Sequence, residues 1–191
     1  TALLIGRLGA VPVAAHQIAI NVASLCFMIP LGLAEATTVR VGHALGRGQR
    51  DAMRRAAFAG YALALCTQAC SALVLLFGRH ALVALYTHDA AVAALAAALL
   101  LYAAAFQFPD GIQVLSAGAL RGLKDTRVPM FLAAFAYWGI GMPLGAGLGL
   151  GLHWGPRGMW IGLIAGLAVA ALLLCARFLR SSRRVALPGL Q

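Results

Sequence analysis

Residues 91–119 read AVAALAAALLLYAAAFQFPDGIQVLSAGA, an apolar run that carries one charged side chain, Asp110. An α-helix rises 1.5 Å per residue, so roughly 20 apolar residues cross the ~30 Å hydrocarbon layer of a bilayer. This run is long enough to span. The same pattern recurs on both sides of it, at 13–39, 56–77, 129–150 and 158–179, and a shorter apolar stretch at 1–8 reads as part of a further span. Across the 191 residues 62% are hydrophobic and 10% are charged, with a mean hydropathy of +0.89. A water-soluble domain needs more polar surface than that to cover its core. The expectation is an all-α integral membrane protein: a transmembrane lobe over 1–180, with one partial and five full spans, and a basic tail over 181–191. No low-complexity linker interrupts the spans, and nothing between them is long enough for a soluble domain. Thr1 leads straight into apolar sequence with no charged n-region, so the segment is not a signal peptide, and a longer N-terminal portion is expected upstream.

The formal net charge is +10, a balance that on a soluble protein points to nucleic acid. Its distribution excludes that reading. The basic residues lie in short clusters between apolar spans, with no aromatic stacking platform beside them. Arg40, Arg47, Arg50, Arg54 and Arg55 follow the first full span, Arg121, Lys124 and Arg127 the third, and Arg177, Arg180, Arg183 and Arg184 the fifth. Those twelve fall on one side, against Arg7, Arg79 and Arg157 on the other. The positive-inside rule then puts the C-terminus in the cytoplasm, and fourteen arginines against one lysine, with abundant alanine and glycine, point to a GC-rich bacterial genome and so to a bacterial inner membrane. Anionic lipid or substrate is a second use for such clusters, though topology alone accounts for them.

The chemistry of an enzyme is not apparent. The five histidines are scattered near span ends, with no H-x-x-x-H or H-E-x-x-H pair, and there is no G-x-S-x-G. All four cysteines (Cys26, Cys66, Cys70, Cys175) sit in apolar spans, where a thiol behaves as a small hydrophobe. No cofactor or metal is expected.

An ionisable group inside a span costs several kcal/mol, so it is a functional candidate by default. Two acids qualify, Asp110 and Glu35. Asp110 directly follows Pro109, which leaves the carbonyl of Ala105 without its helical donor and makes a polar niche nearby. Gln107 and Gln113 stand three residues either side of Asp110, and Phe106 and Tyr102 precede it at i−4 and i−8. Charge, amide dipoles and ring faces in such a stripe suit a cation. The bland alternative is a protonated or paired aspartate with a structural role. Gln17, Asn21 and Ser24 form a second polar stripe on the first full span, which either ligand binding or interhelical hydrogen bonding explains. Glu35, near the cytoplasmic end of that span, is placed to snorkel or to pair with an arginine. The glycine-rich stretch that includes Gly139-x-Gly141 and runs on to Gly151 is read as helix packing, and Pro30 and Pro109 as kinks.

Two segments carry a family resemblance. Ala14-Ala15-His16-Gln17-Ile18-Ala19-Ile20-Asn21, continuing through Phe27-Met28-Ile29-Pro30 to Val39-Arg40-Val41-Gly42-His43 and Leu45-Gly46, resembles the eighth span of the multidrug and toxic compound extrusion (MATE) family, nearest its NorM-like branch. Asp110-Gly111-Ile112-Gln113-Val114, followed by Gly118, Leu120-Arg121-Gly122 and Lys124-Asp125-Thr126, resembles the tenth span and following loop. The resemblance implies a twelve-span antiporter of two six-helix lobes that exchanges Na⁺ or H⁺ for cationic or amphipathic drugs. This chain then supplies the C-terminal lobe, and its partners are the bilayer, the substrates and the missing N-terminal lobe. The family's tenth-span acid falls on Asp110. Phe106 stands where NorM-like members often have tyrosine, which removes an oxygen ligand for Na⁺. The expected ion and substrate site is thus Asp110, Gln107, Gln113, Phe106, Tyr102, Gln17 and Asn21. A flippase-like relative moving a lipid-linked substrate, and a non-transporting scaffold, are the competing readings.

Overall fold

The computed structural model describes residues 9–184. The partial span at 1–8, Arg7 and tail residues 185–191 lie outside them. Five helices, each long and apolar enough to cross a membrane, make up the described chain. They are α1 (Ala10–Gly46), α2 (Arg50–Ala84), α3 (Ala90–Gly122), α4 (Arg127–Gly151) and α5 (Pro156–Arg184). α5 continues beyond the 180/181 boundary set from sequence, so the first four residues of the basic tail are its last turn.

The connections are short and locally determined. Residues 47–49 join α1 to α2, with Gly48 at φ 69°, a left-handed value that glycine adopts without a Cβ penalty. Asp89 caps α3: its carboxylate accepts hydrogen bonds from the backbone N–H groups of Ala91 and Val92 at 2.8 and 3.0 Å, satisfying two donors that a helix start leaves free. Pro156 opens α5, where a missing N–H is not felt. Pro30 and Pro109 are held within continuous helices.

α3 occupies the centre and packs on α1, α2 and α5. Parallel α1 and α3 meet at small residues. A Cβ on Gly118 would lie 2.6 Å from the carbonyl oxygen of Ala34, and one on Gly122 2.8 Å from that of Thr38. The Thr38 hydroxyl stands 2.9 Å from the carbonyl oxygens of both Ala34 and Gly118, tying the pair where lipid offers no competing water.

α4 packs chiefly on α5, through a seam of glycines. Gly141, Gly145 and Gly149 oppose Gly166, Gly162 and Gly158 in antiparallel register; Cβ atoms built on Gly166, Gly162 and Gly158 would stand 2.9, 2.3 and 2.6 Å from the opposing backbone. Within α4 the backbone winds into π-helical turns at Phe135–Gly141 and Gly147–Gly151. The outer faces are apolar, as lipid contact requires: Phe77, Trp138 and Leu172 are each more than two-thirds exposed.

Contacts near the helix ends bring the three basic clusters to one end. Arg121 pairs with Glu35 at 2.9 Å and Arg177 with Asp125 at 2.7 Å, and the Arg50 guanidinium donates to the carbonyl of Arg183. Glu35 therefore finds its arginine on α3, not on its own helix. At the other end the Tyr86 hydroxyl donates to Asn21 Oδ1 at 2.8 Å, and Arg157 lines a cavity with Tyr102, His153 and Trp154.

A buried carboxylate facing two phenylalanines

Asp110 lies within α3 and is 8% exposed. It opens onto a cavity of about 170 Å³ between α1 and α3, lined by Ile20, Ala23, Ser24 and Phe27 from α1 and by Phe106 and Asp110 from α3. The α1 residues recur at helical spacing, i, i+3, i+4 and i+7, so a single face of that helix forms the wall. Phe106 precedes Asp110 by one turn and holds its ring edge-on to Trp160 of α5, centroids 5.7 Å apart. Trp160 is fully buried and also meets His16 at 5.9 Å. The aromatic wall is thereby braced from α5 rather than left to rotate.

Among the described residues no side chain donates a hydrogen bond to the Asp110 carboxylate or pairs with it as an ion. The Ser24 hydroxyl donates to the carbonyl of Ile20 at 2.7 Å, leaving its oxygen lone pairs for the cavity. The lining therefore offers a carboxylate, a hydroxyl oxygen and two ring faces, and no basic group. That donor set suits a proton or a compact cation at the carboxylate, with an aromatic or cationic organic group against the rings.

The other residues expected from sequence are distributed more widely. Gln107 is 1% exposed and does not line the cavity; Gln68 Nε2 of α2 donates to its backbone carbonyl at 2.8 Å. Gln113 is half-buried and does not line the Asp110 cavity. Tyr102 lines the separate cavity with His153, Trp154 and Arg157. Asn21 is occupied by Tyr86, and Gln17 is exposed. Of the seven, Asp110 and Phe106 share one cavity.

Gln68 was missed. It is 1% exposed, packs on Gly111, and leaves its own Oε1 and the nearby Gln107 Nε2 without partners. Its signal was a lone amide in the apolar run 56–77, with no acid or base in that run to mark it. Phe27 and Trp160 gave no such signal, being apolar residues among many.

The comparisons agree with this architecture. The protein named "Probable multidrug resistance protein NorM" from Xanthomonas axonopodis pv. citri (strain 306) is 74% identical over 97% of this chain. "Multidrug resistance protein PmpM" from Pseudomonas aeruginosa (strain PAO1) is 52% identical over 96% of it. The chain spans 40% and 39% of the length of these two relatives. The crystal structure of the eukaryotic MATE transporter AtDTX14 superposes with a TM-score of 0.83 over 91% of this chain and 40% of that one, at 20% identity, which speaks for the fold. The sequence pattern of the MatE family matches residues 1–146, a stretch that includes both the Asp110 cavity and most of the packing around it, and the chain is a member of that family.

Proposed function

We propose that this chain forms the C-terminal lobe of a twelve-span multidrug efflux antiporter, in which the Asp110 cavity binds in turn a coupling cation, Na⁺ or H⁺, and a cationic or amphipathic drug. The observation that carries the reading is a carboxylate buried in a membrane span, unpaired among the described residues, facing a cavity walled by Phe27 and Phe106. An uncompensated charge in lipid is costly, so such a group has a purpose beyond packing. Relatives that carry the words multidrug resistance in their names support the same class. A lipid-linked anionic substrate would call for basic groups in the cavity, and its lining has none.

The mechanism follows from competition. A cationic drug prefers the ionised carboxylate, and a proton or Na⁺ neutralises it. Each ligand then weakens the affinity of the other by the same factor, as linkage requires. Exchange needs no contact between them, only a conformational change allowed when either is bound. Transporters of this kind alternate access by moving one lobe against another around a central site. The upstream portion of the protein supplies the opposing wall. The basic end, with the C-terminus, faces the cytoplasm of a bacterial inner membrane.

The test is Asp110→Asn in the full-length protein, which keeps shape and removes charge. Ion-driven ethidium efflux is lost while expression and insertion persist. In the wild type, drug binding weakens as pH falls and the carboxyl protonates; in the variant it is weak and flat with pH. Efflux by the variant at the wild-type rate, with an unchanged response to the ion gradient, rules out this assignment.

A further inference from the structure

Two sets of basic residues stand out at the cytoplasmic end of the bundle. Arg121, Arg177 and Arg50 are engaged by the protein itself, through Glu35, Asp125 and the Arg183 carbonyl. Arg40, His43, Arg47 and Arg55 are not: none of their side chains meets an acid or a hydrogen-bond acceptor among the described residues. Instead all four line one cavity of about 400 Å³ between α1 and α2, over a floor that includes Ala44 and Ala56.

The spacing explains the convergence. Arg40, His43 and Arg47 recur at i, i+3 and i+7 on α1, and Ala52, Arg55, Ala56 and Ala59 share one face of α2. The hairpin at 47–49 folds the two faces together. α2 also begins here, and the positive end of its backbone dipole adds to the field. A topological bias needs arginines on one side of the membrane; it does not need them gathered from two helices around a concavity that lacks a counter-charge. Alanines in the floor leave room for a tetrahedral group to approach the guanidinium forks, which match phosphate oxygens.

We infer that this pocket binds the phosphate of an anionic phospholipid headgroup. Phosphate chemistry alone would admit a soluble phosphate. The lipid is favoured because the pocket stands at one end of two helices long and apolar enough to cross a membrane, with Val39 and Phe58, neighbours in sequence of Arg40 and Ala59, 55% and 46% exposed. Basic pockets between helices on the cytoplasmic side are a recognised place for such headgroups. The site is separate from the Asp110 cavity and does not depend on what that cavity carries.

The test uses the full-length protein in neutral detergent, titrated with cardiolipin and read by native mass spectrometry as retained lipid adducts. Arg40→Gln, Arg47→Gln and Arg55→Gln are combined in one variant. Lys124→Gln, Arg180→Gln and Arg184→Gln form a control that removes the same charge at the same end. At about a factor of five per basic residue, the pocket variant loses roughly a hundredfold in affinity, and the control keeps its adducts within a few-fold. Replacing the three arginines by lysine retains charge and recovers much of the binding. The single variants Arg47→Gln and Arg55→Gln, each a milder change, lose several-fold, so the test survives misfolding of the triple variant. Equal loss in pocket variant and control, or no adduct in the wild type, overturns the proposal. Displacement of the lipid by millimolar inorganic phosphate assigns the pocket to a soluble anion and overturns the lipid assignment. Drug efflux is not part of the readout, so failure here is distinct from failure at Asp110.

Discussion

Gly162→Ala tests the packing of the bundle at its tightest point. A Cβ on Gly162 would stand 2.3 Å from both Cα and N of Gly145, and 2.7 Å from the carbonyl oxygen of Gly141. Carbon atoms rest at about 3.5–4.0 Å, so the helices must part by more than about 1 Å. The obstructing atoms are backbone, and no side-chain rotation relieves them. Overpacking of a close-packed site costs typically 1–3 kcal/mol, and this contact belongs at the upper end. Alanine regains up to about 1 kcal/mol of helix propensity over glycine. The net is a loss of about 2 kcal/mol. Because α4 packs chiefly on α5, the strain is not shared, and α4 is the element that loosens. Gly147→Ala is the control, since a Cβ there meets nothing within 4 Å; it keeps the propensity gain without the clash. The assay is thermal unfolding of the full-length protein in detergent, followed by size-exclusion of what survives heating. Gly162→Ala melts below the wild type and Gly147→Ala at or above it. Identical melting of the two variants refutes the glycine seam.

Three further outcomes are expected. Trp160→Ala removes a fully buried ring that braces both Phe106 and His16; it costs about 3 kcal/mol in thermal unfolding and, in protein that still folds, weakens drug binding through the freed Phe106 ring. Phe106→Tyr adds an oxygen one turn from Asp110 and raises the apparent affinity for Na⁺ measured by ion-stimulated efflux; an unchanged Na⁺ response excludes Phe106 from the ion's coordination sphere. A reporter fused at Gln191 is cytoplasmic and one placed within the 85–89 connection is external, and finding both on the same side overturns the orientation.

The spans were legible because crossing a bilayer is a one-dimensional demand, on the length of an apolar run. The site was only partly legible, because facing a cavity is a demand on angle. Helical residues advance by about 100° each, so Gln107 and Gln113 stand about 60° to either side of Asp110, and about 120° from one another. The Asp110 cavity, closed on its far side by one face of α1, takes in neither. Gln107 is buried elsewhere, its backbone carbonyl accepting from Gln68 of α2, and Gln113 stays outside the lining. Phe106 lies about 40° from Asp110 and one turn along, close enough in angle and height to share its cavity. Tyr102 stands about 80° round the helix from Asp110 and about 12 Å away along the axis, and it meets a different cavity at the other end of the bundle. The same geometry divides the α1 stripe. Ser24 reaches the Asp110 cavity, Asn21 meets Tyr86 and Gln17 remains exposed. Which neighbour stands at each angle is fixed by the Gly118, Gly122 and Thr38 contacts between α1 and α3. Those contacts link residues about 80 positions apart, and no local pattern in the sequence announces their register. Asp110 was found by its cost in lipid, which is local. Its partners were set by packing, which is not.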